Sequence, residues 1–160
     1  MAESAHNKVK LKVVTPYKDF LSEDVSSVIL PSIDGDIGVM AGHTPLVLAL
    51  RPGVASVRTD DSTRYFFVSE GYCEISHDLV LVICNAAEWP TDIHVRWINE
   101  AREEALSMQK EVLAIEDAEA RKYSMAEVNE KLNRVKARSH LIALHGNEHQ
   151  KQRLAEFELI

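Results

Sequence analysis

The sequence predicts a mixed fold: an N-terminal antiparallel β-domain, sandwich or barrel, over residues 1–89, then a C-terminal α-helical hairpin over residues 90–160. Three observations predict it. All five prolines (Pro16, Pro31, Pro45, Pro52, Pro90) and every glycine except Gly146 lie in residues 1–90, so turn-formers punctuate the first part and leave the second free to be helix. Apolar residues of the first part fall in short, often alternating runs, the period of strands, while those of the second recur at spacings of three and four. The charges divide too: the second part is denser in charge and nearly balanced, as an exposed helix laced with ion pairs would be.

Each element follows from its own pattern. Lys8-Val9-Lys10-Leu11-Lys12-Val13 alternates charge with apolar bulk and puts Val9, Leu11 and Val13 on one buried face. Pro16-Tyr17 turns the chain, and residues 25–30 form a strand closed by Pro31 and the Asp34-Gly35 turn. Residues 46–50 are continuously apolar up to Pro52-Gly53; residues 54–59 and 64–68 flank the Asp60-Asp61-Ser62 turn. Residues 72–76 and 79–84 make a hairpin across His77-Asp78. Such short strands at close spacing suit a sandwich or barrel, without fixing the topology. Thr91 or Asp92 is expected to cap the first helix, whose stripe is Ile98, Ala101, Ala105, Met108 and Val112. Tyr123-Ser124 is expected to break it, with a capping box over Ser124–Glu127. Met125, Val128, Leu132, Val135 and Ile142 then form a heptad-like seam that ends at Gly146-Asn147.

Composition bounds the function. A length of 160 residues holds one ordinary domain, or a small one with an appendage. A net charge of -7 argues against a general nucleic-acid binder. The run Leu79–Cys84 falls far short of the roughly 18 apolar residues of a membrane-spanning helix, and Met1–His6 carries no apolar stretch, so no secretory signal is expected. Cys73 and Cys84 match neither a disulfide framework nor a zinc ribbon, and reduced core thiols in a cytoplasmic compartment are expected.

The candidates for chemistry are few. There is no P-loop, and Gly35-Asp36-Ile37-Gly38 with Gly42 is not a dinucleotide fingerprint. His43 has no serine or cysteine at motif spacing and is read as a turn residue rather than a base. Cys73 and His77 mimic a thiol–imidazole pair, but strand periodicity points the thiol into the core. His145 and His149 are spaced as two metal ligands on a helix, without the carboxylate motif that accompanies them. Lys131, Arg134 and Arg138 share a helix face; as a solvated face it needs no partner, as a docking face it meets an acidic surface, and the residues leave both open. Two other classes are weighed. A cupin-like metal oxygenase needs a clustered His-x-His, which the β-part lacks, and metal analysis would settle it; a stand-alone coiled-coil adaptor would be recovered as a free homodimer.

The stretch Leu30-Pro31-Ser32-Ile33-Asp34-Gly35-Asp36-Ile37-Gly38-Val39-Met40-Ala41-Gly42-His43-Thr44-Pro45-Leu46 resembles the G-x-x-G-x-x-x-G-H-x-P-L element of the epsilon subunit of the rotary (F-type) ATP synthases. Leu50, Pro52 and Gly53 match the leucine and Pro-Gly turn that follow. Ser69-Glu70-Gly71-Tyr72-Cys73-Glu74 is similar to a later element, with Glu70 replacing a glycine. The likeness runs from about Val9 to the C-terminus. It implies a β-sandwich and a non-catalytic central-stalk rotor subunit, without catalytic residues, cofactor or metal. That subunit couples the gamma-subunit shaft to the membrane c-ring in ion-gradient-driven ATP synthesis, and sits peripherally on the cytoplasmic face of a bacterial membrane or an organellar equivalent. It further implies that Asp36 and His43 lie at the c-ring and shaft interface, and that the helical arm inhibits ATP hydrolysis, its Lys131, Arg134 and Arg138 facing an acidic region of a beta subunit. Some members bind ATP where the first helix begins, through an Asp and an Arg. Here His94 and Trp97 stand in those places, and ATP binding on the arm is not expected.

Overall fold

The computed structural model describes residues 7–160; Met1–His6, where no secretory signal is expected, lie outside the described residues. Two compact units divide the chain, Met1–Trp89 and Pro90–Ile160. The first is built of β1 (Val9–Val14), β2 (Asp19–Val25), β3 (Ser27–Ser32), β4 (Gly35–Met40), β5 (Leu46–Leu50), β6 (Gly53–Arg58), β7 (Thr63–Val68), β8 (Gly71–Ile75), β9 (Leu79–Cys84) and β10 (Ala87–Glu88). The hydrogen-bonded order is β10-β7-β6-β3-β5-β8-β9-β1-β2, with β4 on β3. Pairing is antiparallel except where β1 lies parallel to β9. At the corner sits β3: Ser27–Ile29 pair with β6, whereas Ser32 pairs with Leu50 of β5, so one strand serves both layers of the β-sandwich.

Alternation is what buries the core. Val9, Leu11 and Val13 have no exposed surface, and Leu11 and Val13 lie opposite Val80 and Val82, equally buried. Phe66, Val68, Cys73 and Ile75 join the same cluster. At one end Phe20 stacks on Trp89 and Phe66 packs at an angle against both, with ring centroids 4.9–5.5 Å apart, beside the Arg64–Glu23 ion pair.

Several expectations are corrected. The strand expected over 25–30 begins at Ser27, because Val25 ends β2, an edge strand whose Asp-Phe-Leu-Ser-Glu-Asp-Val lacks clean alternation. Nor does Pro31 close β3. The strand continues to Ser32, since the carbonyl of Pro31 still accepts the Arg51 N–H at 3.0 Å although its nitrogen has no proton to donate. Beyond the turn the chain returns as β4, half glycine and charge by composition and therefore silent in periodicity.

The second unit is a short 3-10 turn (Pro90–Asp92) followed by α1 (Val95–Leu113), α2 (Ala118–His145) and α3 (Glu148–Glu156), three helices where a two-helix hairpin is expected. In α1 the predicted stripe is buried at Ile98, Ala105 and Val112. Thr91 and Asp92 do not cap it: they are taken up in the 3-10 turn, and His94 is the cap residue with no side-chain bond. The break falls at residues 114–117 rather than at Tyr123-Ser124. The Asp117 carboxylate accepts the Ala120 N–H at 2.7 Å, which satisfies the opening turn early and leaves Ser124–Glu127 inside α2. The seam residues Val128, Val135 and Ile142 are buried, with Met125 and Leu132 half-buried. Gly146 does end α2, but Asn147 at once caps α3 through a capping box with Gln150. That helix is short and polar, with Leu154 its one buried apolar residue, so its pattern is too brief to read from sequence.

Candidate functional site

The motif around Gly35 and His43 folds as the β3–β4 hairpin and the loop after it. At the tip the Ser32 hydroxyl accepts the Asp34 N–H at 3.1 Å, and Gly35 takes a φ of +125°, which glycine alone adopts without strain. Asp36 is the second residue of β4, exposed, and ion-paired to Arg51 at 2.6 Å. Arg51 does more than neutralise it: its Nε donates to the Ser32 carbonyl at 3.1 Å and its backbone N–H to that of Pro31, so one residue stitches β3, β4 and the end of β5 together. Two residues on, a Cβ at Gly53 would lie 2.6 Å from Pro31 Cβ and 3.2 Å from Arg51 Nη1. The Pro52-Gly53 turn is thus the space in which the Arg51 clamp and Pro31 fit.

His43 stands beyond the other end of β4, so the structure places Asp36 and His43 at opposite ends of that strand. Gly42 turns the chain at φ +79°, and the His43 ring nitrogen Nδ1 lies 2.7 Å from the Thr44 carbonyl, to which it donates in the matching tautomer. The ring serves its own turn. Cys73 is fully buried, and burial pushes its thiol up to about 12 and that of Cys84 to about 11, so neither is a thiolate near neutral pH. His77 is exposed, its carbonyl accepting the Gly42 N–H, and makes no catalytic pair with Cys73.

One feature of the β-unit escaped the sequence reading. Ala49, Tyr72, Ile83 and Val14 lie opposite one another across four strands, on the face away from the core. Tyr72 is 47% exposed and neighbouring Val47 68%, and a groove of about 370 Å³ runs between Tyr72, Ile83 and Val14. The signal was present: runs 46–50 and 79–84 are continuously apolar, the mark of strands apolar on both faces.

In the helical unit Lys131 reaches Glu104 of α1 at 2.7 Å and Arg134 pairs with Glu130 at 3.0 Å, while Arg138 is half-buried. The basic face is therefore largely answered within the unit. The His94 and Trp97 rings meet at a tilt of 59°, with centroids 4.2 Å apart. The metal-ligand spacing of His145 and His149 is broken because Gly146 puts them on different helices. Among the described residues no group of three or more His, Cys, Asp or Glu gathers to hold a metal.

Comparison with known proteins bears on both units. A chain named ATP synthase epsilon chain from Thermodesulfovibrio yellowstonii is 42% identical over 89 residues, covering 56% of this chain and 64% of that relative's own length. The chain of that name from Alkaliphilus oremlandii is 33% identical over 96 residues, covering 60% and 72%. Two solved assemblies share the fold: a chain of the Euglena gracilis mitochondrial ATP synthase (OSCP/F1/c-ring), with a TM-score of 0.66 at 21% identity over 86% of this chain and 82% of that one, and a chain of the Tetrahymena thermophila mitochondrial ATP synthase (central stalk/c-ring), at 0.52 and 17% over 80% and 92%. Residues 8–90, more than half of the chain, match the family model of the ATP synthase delta/epsilon chain β-sandwich domain, and the chain belongs to that family, the epsilon subunits of the F-type ATP synthases.

Proposed function

We propose that this chain is a non-catalytic central-stalk subunit of an F-type ATP synthase, whose β-unit couples the gamma-subunit shaft to the c-ring and whose helical unit restrains ATP hydrolysis. The observation that carries the reading is the β3–β4 tip: a hairpin, bonded to Arg51, that presents Asp36 and the 63%-exposed Ile33 on the β-sandwich that defines the family. The outer row of Ala49, Tyr72, Ile83 and Val14 supports a second contact, an apolar face suited to a helical shaft. The proposal places the chain peripherally on the cytoplasmic side of a bacterial membrane or an organellar equivalent; among the described residues no helix is long and apolar enough to cross a membrane. The broken motif at His94 and Trp97 supports an arm that works without bound ATP.

Purification from detergent-solubilised membranes tests the assembly. Recovery with alpha, beta and gamma chains is expected; a free homodimer would overturn the proposal in favour of an adaptor. In the assembled enzyme Asp36→Arg should lower coupled proton pumping several-fold and leave hydrolysis by the soluble portion intact, because a charge reversed at a rim costs docking and register rather than folding. Unchanged pumping removes Asp36 from the interface.

A further inference from the structure

The third helix is tied at its start to the segment that leads into the first helix, and beyond its end to the first helix itself. At its start Gln150, 9% exposed, donates from Nε2 to the carbonyls of Pro90 (2.7 Å) and Ile93 (2.9 Å), while its Oε1 accepts the Asn147 N–H (2.9 Å). Beyond its end Arg102 of α1 donates from Nη1 to the Glu158 carbonyl and from Nη2 to that of Phe157, both at 2.9 Å, and Nη2 is braced by Asn99 Oδ1 at 2.8 Å. Glu158 accepts a left-handed φ of +52° to bring those carbonyls round. Between the anchors Leu154 is fully buried, and α3 packs against both α1 and α2. The elbow into α3 needs Gly146, whose missing Cβ would lie 2.6 Å from the Ile142 carbonyl oxygen.

The placement matters because of where a helical hairpin opens. The loop at residues 114–117 joins α1 to α2 at one end, so the antiparallel pair can part only at the other, where α1 begins and α2 ends. We propose that α3 is an internal lock on that open end: it leaves α2 through a two-residue elbow and bonds to the Pro90–Ile93 segment that leads into α1 and to Arg102 within α1, so the two long helices separate only after α3 releases Pro90, Ile93 and Arg102. The lock sets the ratio of closed to open arm before any partner acts. It rests on the helical unit alone and not on the arm's effect on hydrolysis.

Hydrogen exchange read by mass spectrometry on the full chain tests it. Gln150→Glu keeps the acceptor for the Asn147 N–H, hence the helix cap, but loses both donors and sets a carboxylate against two carbonyls. At pH 7.5 the amides of α3 should exchange roughly tenfold faster or more, because both hydrogen bonds from Nε2 are lost. Those of α1 and α2 near the open end should accelerate with them. Protection, corrected for intrinsic rate, should partly return at pH 5, where a protonated carboxyl donates again. Arg102→Ala should loosen the same amides from the other anchor at either pH. Faster exchange confined to α3 makes it a passive appendage and overturns the lock; unchanged exchange in both variants shows that these bonds hold nothing and overturns it equally. A Gln150→Glu chain unfolded at both pH values leaves the decision to Arg102→Ala, read by the same two criteria.

Discussion

At Gly53 a single missing carbon decides how the β3–β4 hairpin sits against the end of β5. Two effects compete at the tip: the exposed Arg51–Asp36 pair, worth about 0–1 kcal/mol, and the close approach of Pro31 and Arg51 over Gly53. Steric crowding should win. Gly53→Ala forces a Cβ against the Pro31 ring and is expected to cost about 1–3 kcal/mol, the range of overpacked sites. Arg51→Ala loses an exposed pair and one side-chain bond to the Ser32 carbonyl, roughly 1 kcal/mol in all. Urea titration of the two variants checks the ranking, and a larger loss for Arg51→Ala would reverse it. The glycine was visible in the sequence as half of a Pro-Gly turn. Its reason was not, because the clash involves Pro31, more than twenty residues away, and only the β3 corner brings them together.

Elements were legible where one periodicity ruled and obscure where two requirements met. Strand β1 alternates cleanly and the α1 stripe keeps its spacing, so both follow from sequence. The break between α1 and α2 was misplaced because Ser124-Met125-Ala126-Glu127 has the form of a cap, whereas Asp117 had already capped the helix and tertiary packing of Val128 carried it onward. Of the expected sites, Lys131, Arg134 and Arg138 do fall on one helix; the i,i+4 pair of Arg134 with Glu130 follows from spacing alone, whereas the pair of Lys131 with Glu104 depends on how α1 and α2 pack, which no local pattern shows. Those pairs also change what the face can contribute. A beta-subunit partner must exchange acids with Glu104 and Glu130, which favours orientation over affinity. Replacing all three by Ala should relieve inhibition of hydrolysis only partly in the assembled enzyme, and wild-type inhibition should weaken as salt is raised. Equal rates for wild type, triple variant and arm-deleted complex would deny the arm that role.

On the scale of the whole molecule, the two units bear different burdens. The β-unit has its own closed core and ends on Trp89, which stacks on Phe20 at 4.9 Å and lies 5.5 Å from Phe66. A chain ending at Trp89 should therefore fold cooperatively and still restore coupled synthesis to complexes lacking the native subunit. One ending at Glu88 should fold less stably by about 1–3 kcal/mol, as the loss of much of a large aromatic side chain's burial predicts. Calorimetry of the two checks the difference; equal melting would make the aromatic trio ornamental. Sequence reading reached the β-then-helix order because composition changes sharply at Pro90. It could not reach the strand order, since β3 joins strands that no local pattern connects.

The parallel pairing of β1 with β9 reaches beyond the finished fold to the way the chain is made. A strand made well before its partner must wait for Leu79–Cys84, some seventy residues later, before its inner edge finds a neighbour. Until then Val9, Leu11 and Val13 have only β2 beside them, and contacts so distant in sequence are slow to form. Closure of the β-unit is thus a late event in synthesis, and the nascent chain is most vulnerable to aggregation in the interval before its ninth strand emerges.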